Sequence, residues 1–509
     1  MSEIVCSFRT SVSGRVPSNS QFQRQPEILH GSAPYASTVN CLATPTASPT
    51  TPYGKPGPRG SVPIGWLKHI FLEGNTLWDA LLLNACSNIG QVLLVWPHQM
   101  ANTGITPGLI LMVASGFISS WTMWLLLILY MQRKHTLMGK DQWFDDLTGK
   151  QRLAITQYHE VVGFFGHLWL QHFAQLLTGI SLLGTGIAQV VACAGNYYSI
   201  DQTYSKRTLE LIFGGCLMAF TFVPSFRQMR ILNIIGIIGT AFTAWYIVGE
   251  SLRAGIKPRA YEQNAAPKSM GGFFVGLSVL ANAGHANSLE MVDTLYDTGK
   301  FIYGYGGGIG YAYFLVISPS VTANLAFPKQ VSLQDNVFGI LPRSSTKVAA
   351  VWLMIVHQFI AFSLYVLPLL FMWEKLIRTH TKAWYIRLPS RLPIALLVWL
   401  LGVMFPYYAT INSFFAAVTA PFVGVIIPCL LFNWHYRTKE RQTQCPIQPW
   451  RPLQALNWWP IFLLNVFLAC LYLVAFTGFG IYFNIVNIVK AAHTFGIFPA
   501  CYQCATKSG

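Results

Sequence analysis

The sequence predicts an all-α membrane protein, a bundle of about eleven transmembrane helices. Three observations lead there. The chain is 53% hydrophobic and 10% charged, where soluble domains carry roughly 25% charged residues. Apolar runs long enough to cross a bilayer, about 20 residues each, recur from residue 77 onward. Two of these runs, the first and the sixth, are interrupted by Gly and amide residues: NACSNIGQVLLVWP (84–97) and ANAGHANSLE (281–290).

Residues 1–60 are rich in Ser, Thr, Pro, Gln and Gly and show no apolar periodicity. The stretch is too polar to offset the entropy of ordering and reads as a disordered cytoplasmic tail. Its five basic residues and two acids, Glu3 and Glu27, also suit an organellar transit peptide, which is the weaker reading. Residues 61–482 form the membrane domain, and 483–509 an extracellular C-terminal tail. The predicted spans lie near 77–100, 107–131, 164–198, 208–226, 229–252, 271–296, 301–325, 346–377, 391–408, 411–433 and 458–482. With the N-terminus inside, 23 of the 34 Lys and Arg fall on the cytoplasmic side and none in a membrane core. The loop holding Arg253, Lys257, Arg259 and Lys268 is the exception.

Several function classes drop out. The net charge of +16 reflects basic loops, with no aromatic-interleaved basic patch for nucleic acid. Cys501 and Cys504 form a C-x-x-C without the second pair a zinc site needs. YGYGGGIGY (303–311) fits no phosphate cradle, and like GISLLGTG (179–186) it reads as small residues that let helices approach. Pro224, Pro368 and Pro428 are expected to kink or end helices. A di-iron membrane enzyme needs clustered histidines, whereas those here are dispersed. The chain is therefore read as a non-enzyme without cofactor or metal, with a proton as coupling ion.

The interruptions carry the functional argument. Gly weakens a helix and Asn offers its backbone competing bonds. In hydrocarbon such a stretch is tolerated only where it faces protein or a cavity. Interruptions in corresponding spans of two halves point to an inverted-repeat transporter, with the substrate at the midplane. The candidate substrate-binding residues are Ser87, Asn88, Gly90 and Gln91 in the first span and Asn282, Gly284, His285 and Asn287 in the sixth. Gln189 in the third and His357 in the eighth join them. Asn196 and Gln358 are weaker cases. His285 is the candidate proton carrier, since imidazole changes charge near neutral pH. Glu290 is either its proton partner or a carboxyl at the cytoplasmic end of the bundle. Asp79 is expected to cap the first helix.

These residues also resemble a known family. WDA (78–80), QVLL (91–94), SSWT (119–122), VACAGN (191–196), RTLELIFGG (207–215), GHANSLEM (284–291), VHQFIAF (356–362) and HTFGIFPACYQC (493–504) are similar, in order, to the AUX/LAX auxin influx carriers. The likeness covers roughly 66–504. It implies the amino acid/auxin permease family and a LeuT-like 5+5 inverted repeat with broken helices 1 and 6. It also implies proton-coupled uptake of indole-3-acetic acid across the plasma membrane. The family's sixth-helix histidine corresponds to His285. Departures are SNIGQ in the first helix, WLQH (169–172) where the family carries W-K, and LYDTGKF (295–301) in place of a Lys/Pro-rich stretch. The expected partners are thus indole-3-acetic acid or a related aromatic acid or amino acid, protons and the bilayer, with the protein a monomer. The alternatives are a proton-coupled permease for neutral or aromatic amino acids and, behind it, a transport-derived sensor.

Overall fold

The computed structural model describes residues 76–138, 155–223, 226–280, 285–295, 298–404, 408–446 and 458–495. The tail 1–60, Pro224, Asn282, Gly284 and the C-x-x-C at 501–504 lie outside the described residues. The described part is helical, as its apolar runs predict.

Thr76 caps helix α1 (Leu77–Ile89), and its backbone N–H donates to the Asp79 carboxylate at 2.7 Å. Asp79 therefore caps as expected, and it also pairs with Arg230 at 2.5 Å. At Ile89 the helix stops. Gly90 takes φ +30°, a conformation that a side chain disfavours. The chain turns by 52° into α2 (Val92–Thr103). This is the predicted interruption of the first span.

Further along lie α3 (Ile105–Met138), a short α4 (Tyr158–Phe165), α5 (Leu168–Tyr198), α6 (Lys206–Met218) and α7 (Arg230–Ala254). The sixth span is two pieces, α8 (Met270–Leu280) and α9 (Ser288–Val292). Then come α10 (Phe301–Ala326), α11 (Ser345–Leu376), α12 (Leu392–Met404), α13 (Tyr408–Ala420), α14 (Ile427–His435), α15 (Trp459–Leu471) and α16 (Ile481–Phe495). A π-helical turn at Pro421–Ile426 joins α13 to α14, and another at Tyr472–Gly480 joins α15 to α16. The last helix thus runs to Phe495, past the predicted limit at 482.

Among the described residues eight helices are long and apolar enough to cross a membrane, and the bent α1–α2 pair makes a ninth. Helix α6, continued by a 3-10 turn at Ala219–Phe222, and the interrupted α8–α9 pair occupy the other two predicted spans. Large apolar side chains such as Phe117, Trp245, Leu400 and Phe467 are exposed on the outside, as lipid contact requires.

Small residues set the inner packing. Helix α10 lies along α1, with Gly304 against Ala80 and Gly308 against Asn84 and the Leu81 carbonyl. Gly184 on α5 receives the Phe415 ring, and Gly214 on α6 receives Trp399. Both glycine-rich stretches are therefore helix contacts. Pro368 does not end α11, which continues through it to Leu376.

Candidate functional site

The interrupted spans enclose a cavity of ≈ 140 Å³. Ser87, Asn88, Gly90 and Gln91 line it from the first span, and Ala286, Asn287 and Ser288 from the sixth. Helix α5 contributes Ser181, Thr185 and Gln189, one helical turn apart on a single face. Helix α11 contributes Tyr365, and α13 contributes Phe415 and Thr419. Val92, Trp96, Leu182, Val279 and Val316 supply apolar wall. Of the residues singled out from the sequence, six line this cavity: Ser87, Asn88, Gly90, Gln91, Gln189 and Asn287. His285 and His357 stand outside its lining, fully buried.

Gln91 belongs to a network that joins four elements. Its side-chain oxygen accepts from Asn196 Nδ2 at 3.0 Å and from Gln358 Nε2 at 2.8 Å. Its own Nε2 donates to Asn196 Oδ1 at 3.3 Å, and that oxygen also accepts from Asn336 at 2.8 Å. The network ties the start of α2 to α5, to α11 and to the loop after α10. Asn336 was not singled out in the sequence, because it lies in a polar loop 140 residues from the partner it bonds.

Asn287 has a definite task. A proline has no N–H, so Pro368 leaves the carbonyl one turn earlier without its helix bond. That carbonyl belongs to Leu364, and Asn287 Nδ2 donates to it at 3.3 Å. The residue before α9 thus supplies a hydrogen bond that α11 lacks at Pro368.

His285 sits behind the cavity wall. Its Nε2 is 2.8 Å from Thr122 Oγ1 and its Nδ1 is 3.4 Å from the Tyr305 hydroxyl. Thr122 Oγ1 also lies 3.0 Å from the Ile118 carbonyl, so its one proton can serve either the carbonyl or the ring. The ring Nδ1 faces a hydroxyl that can donate or accept. His357 stands behind Gly90, where a Cβ would lie 3.5 Å from Nε2. Its Nδ1 is 3.2 Å from the Gly236 carbonyl, which requires the proton there.

Glu290, the middle residue of α9, is buried and does not line the cavity. Gln157 Nε2 donates to it at 3.2 Å and to the Pro368 carbonyl at 2.9 Å. Asp293 accepts from Tyr130 at 2.5 Å and from the Thr156 N–H at 3.2 Å. Lys375 donates to the Ile155 carbonyl at 2.6 Å and to Glu160 at 2.7 Å. Residues 155–160 are thereby fastened to α9, α3 and α11. Burial raises the Glu160 carboxyl pKa, but the Lys375 ammonium outweighs it and holds the group below its ordinary 4.5. A second buried cluster lies at the end of α11. There Glu374 accepts from His380 at 2.7 Å, Arg387 at 2.8 Å and Arg391 at 2.6 Å.

Residues 73–479 match the family described as transmembrane amino acid transporter protein. The chain is similar to auxin transporter-like protein 1 of Oryza sativa subsp. japonica, 32% identical over 86% of this chain and 87% of that one. It is also similar to auxin transporter protein 1 of Arabidopsis thaliana, 31% identical over 86% of this chain and 89% of the relative. Among solved structures it resembles MhsT in complex with L-phenylalanine, with TM-score 0.51 and 12% identity over 82% of this chain and 99% of that one. That likeness is one of fold, the LeuT-like inverted repeat with broken helices 1 and 6.

Proposed function

The chain belongs to the transmembrane amino acid transporter family, and from that premise we propose that it is a proton-coupled symporter importing indole-3-acetic acid across the plasma membrane. The carrying observation is the cavity at the Gly90 break, walled by small polar groups and aromatic rings, with the buried imidazole of His285 immediately behind Ala286. The names of its relatives as auxin transporters support the same substrate.

In this reading the indole ring lies against Val92, Trp96, Leu182 and Phe415, and the acid end faces the Gly90 turn. Ser87, Asn88, Gly90, Gln91, Gln189 and Asn287 form the binding wall, with Asn282 and Gly284 assigned to it from the sequence. His357 backs Gly90. Gln91 contributes by holding the break in place through its bonds to Asn196 and Gln358.

His285 takes the coupling proton. In the imidazolium both ring N–H groups donate, and the Thr122 and Tyr305 hydroxyls both accept. The cost of charging the ring is offset by two hydroxyl acceptors and by the pH gradient, about 1.4 kcal/mol per pH unit. Glu290 receives the proton on the cytoplasmic side. The N-terminus lies in the cytoplasm, the C-terminus outside, and the working unit is a monomer without a cofactor.

A second reading, a permease for neutral aromatic amino acids, draws on the family's description. Uptake of labelled indole-3-acetic acid at external pH 5.5 and 7.0, for wild type and His285→Ala, tests the first. Wild type is expected to import faster at pH 5.5, and the variant to lose that dependence. An equal pH response in both proteins removes His285 from coupling. Uptake of tryptophan at micromolar levels, with none of the acid, favours the second reading.

A further inference from the structure

Among the described residues four carboxamides line the cavity, those of Asn88, Gln91, Gln189 and Asn287. Three are tied to protein. Asn88 Nδ2 donates to the Asn84 carbonyl at 2.8 Å and Asn287 Nδ2 to that of Leu364 at 3.3 Å, while Gln91 is bonded through both its oxygen and its nitrogen. Gln189 differs. It is 4% exposed, its Oε1 is buried without a hydrogen-bond partner, and its Nε2 meets no acceptor among the described residues. A half-turn of the amide exchanges oxygen and nitrogen, and either way one acceptor and two donors stand unanswered. A buried polar group left unanswered is destabilising, so its partner comes from the cavity.

Its position on α5 indicates which part of a ligand that partner is. Leu182, Gln189 and Asn196 follow one another at two-turn intervals on one side of the helix, roughly 10 Å apart along its axis. Asn196 is bonded to Gln91 beside the Gly90 turn, where the acid end of the ligand is placed. Leu182 belongs to the apolar wall that takes the ring. Gln189 stands between these two levels, off the acid end. The ring system of an indole carries one polar group, its N–H, and the Gln189 oxygen is the matching acceptor.

We infer that Gln189 is the specificity residue for the ring: its carboxamide oxygen accepts the heterocycle N–H, so the cavity takes aromatic acids with a ring N–H in preference to arenes of the same shape without that donor. The inference rests on the indole-acid reading above and adds which atom of the ring is recognised, and by what.

Competition binding to the purified full-length protein tests it, with tritiated indole-3-acetic acid as tracer at a single pH. The competitors are the unlabelled acid and benzothiophene-3-acetic acid, which keeps the shape and the carboxyl group and carries sulfur in place of the ring N–H. Wild type is expected to prefer the indole acid by about tenfold or more, the effect of leaving a buried acceptor unpaired. Gln189→Met keeps the length of the side chain and removes the acceptor. In that variant the indole acid should weaken, the benzothiophene should not, and the two should bind within about twofold of each other. Asn88→Ala should keep the wild-type ratio. Equal affinities in wild type overturn the inference, whether or not the variants fold, because water then answers Gln189. A preference that survives Gln189→Met, or one that vanishes in Asn88→Ala alone, overturns it as well. If tryptophan binds and the indole acid does not, the proposed substrate falls, and the ratio of tryptophan to 3-benzothienylalanine decides the inference in the same way. Binding of neither indole ligand overturns both. An indole acid that binds with the expected ratio but is never transported defeats the proposed function and leaves the inference standing.

Discussion

Replacing Gly308 by Ala tests how tightly α10 grips the broken helix. A Cβ at 308 would lie 2.9 Å from Asn84 Cβ, 2.9 Å from the Leu81 carbonyl oxygen and 3.1 Å from the Ala85 nitrogen. Favourable contact needs about 3.5–4.0 Å, so α1 and α10 must part by about 0.6–1.1 Å. Two of the three neighbours are main chain and cannot turn aside. The other flank of α1 packs on α7, so the displacement is resisted. Overpacking of this kind costs about 1–3 kcal/mol, or about 5–150-fold in an equilibrium constant. Gly310, two residues on, has nothing within 4 Å of its Cβ position and serves as control. Thermal melting of detergent-purified protein should place Gly308→Ala clearly below both wild type and Gly310→Ala, and its uptake should fall. If the two alanine variants melt together with wild type, the close contact between α1 and α10 is not what holds the broken helix.

Other perturbations have equally direct readouts. Glu374→Ala leaves Arg391 buried without its carboxylate, with only the Thr221 and Val223 carbonyls at 2.7 and 2.8 Å, and should cost about 3–5 kcal/mol in an unfolding measurement. Gln91→Leu strands the amides of Asn196 and Gln358, at about 1–3 kcal/mol for each unpaired group. It should lower the melting temperature and raise the KM for uptake. The Glu160 carboxyl, held below its ordinary pKa, contributes stability that is present above pH 4.5 and is lost as pH falls through its folded value. Melting curves of wild type and Glu160→Gln should therefore differ at pH 7 and converge only as the pH falls below the folded value of the carboxyl.

Much of the architecture could be read from the chain because spans are written in length and apolarity. Each predicted span falls on a helix or an interrupted pair. The first interruption was legible for a local reason, since Gly90 supplies the backbone conformation that its neighbours resist. Other features depend on partners far away in sequence. Asn336 looks like any loop amide until it meets Asn196. Arg391 and Arg387 count as basic loop residues by composition, yet they fold inward onto Glu374. Pro368 was expected to kink or end its helix, and a local rule cannot anticipate that Asn287 replaces the missing donor. His285 was legible as an unusual residue, but its place behind the wall depends on Thr122 and Tyr305.

The bond from Asn287 to Leu364 reverses the usual expectation for proline. Elsewhere, exchanging a mid-helix proline for alanine repairs the rod. At position 368 the restored N–H would share the Leu364 carbonyl with Asn287. The eighth span would become a more regular coil, and that carbonyl would no longer depend on the sixth span for its hydrogen bond. In this protein an imperfection in one helix serves as the socket for another.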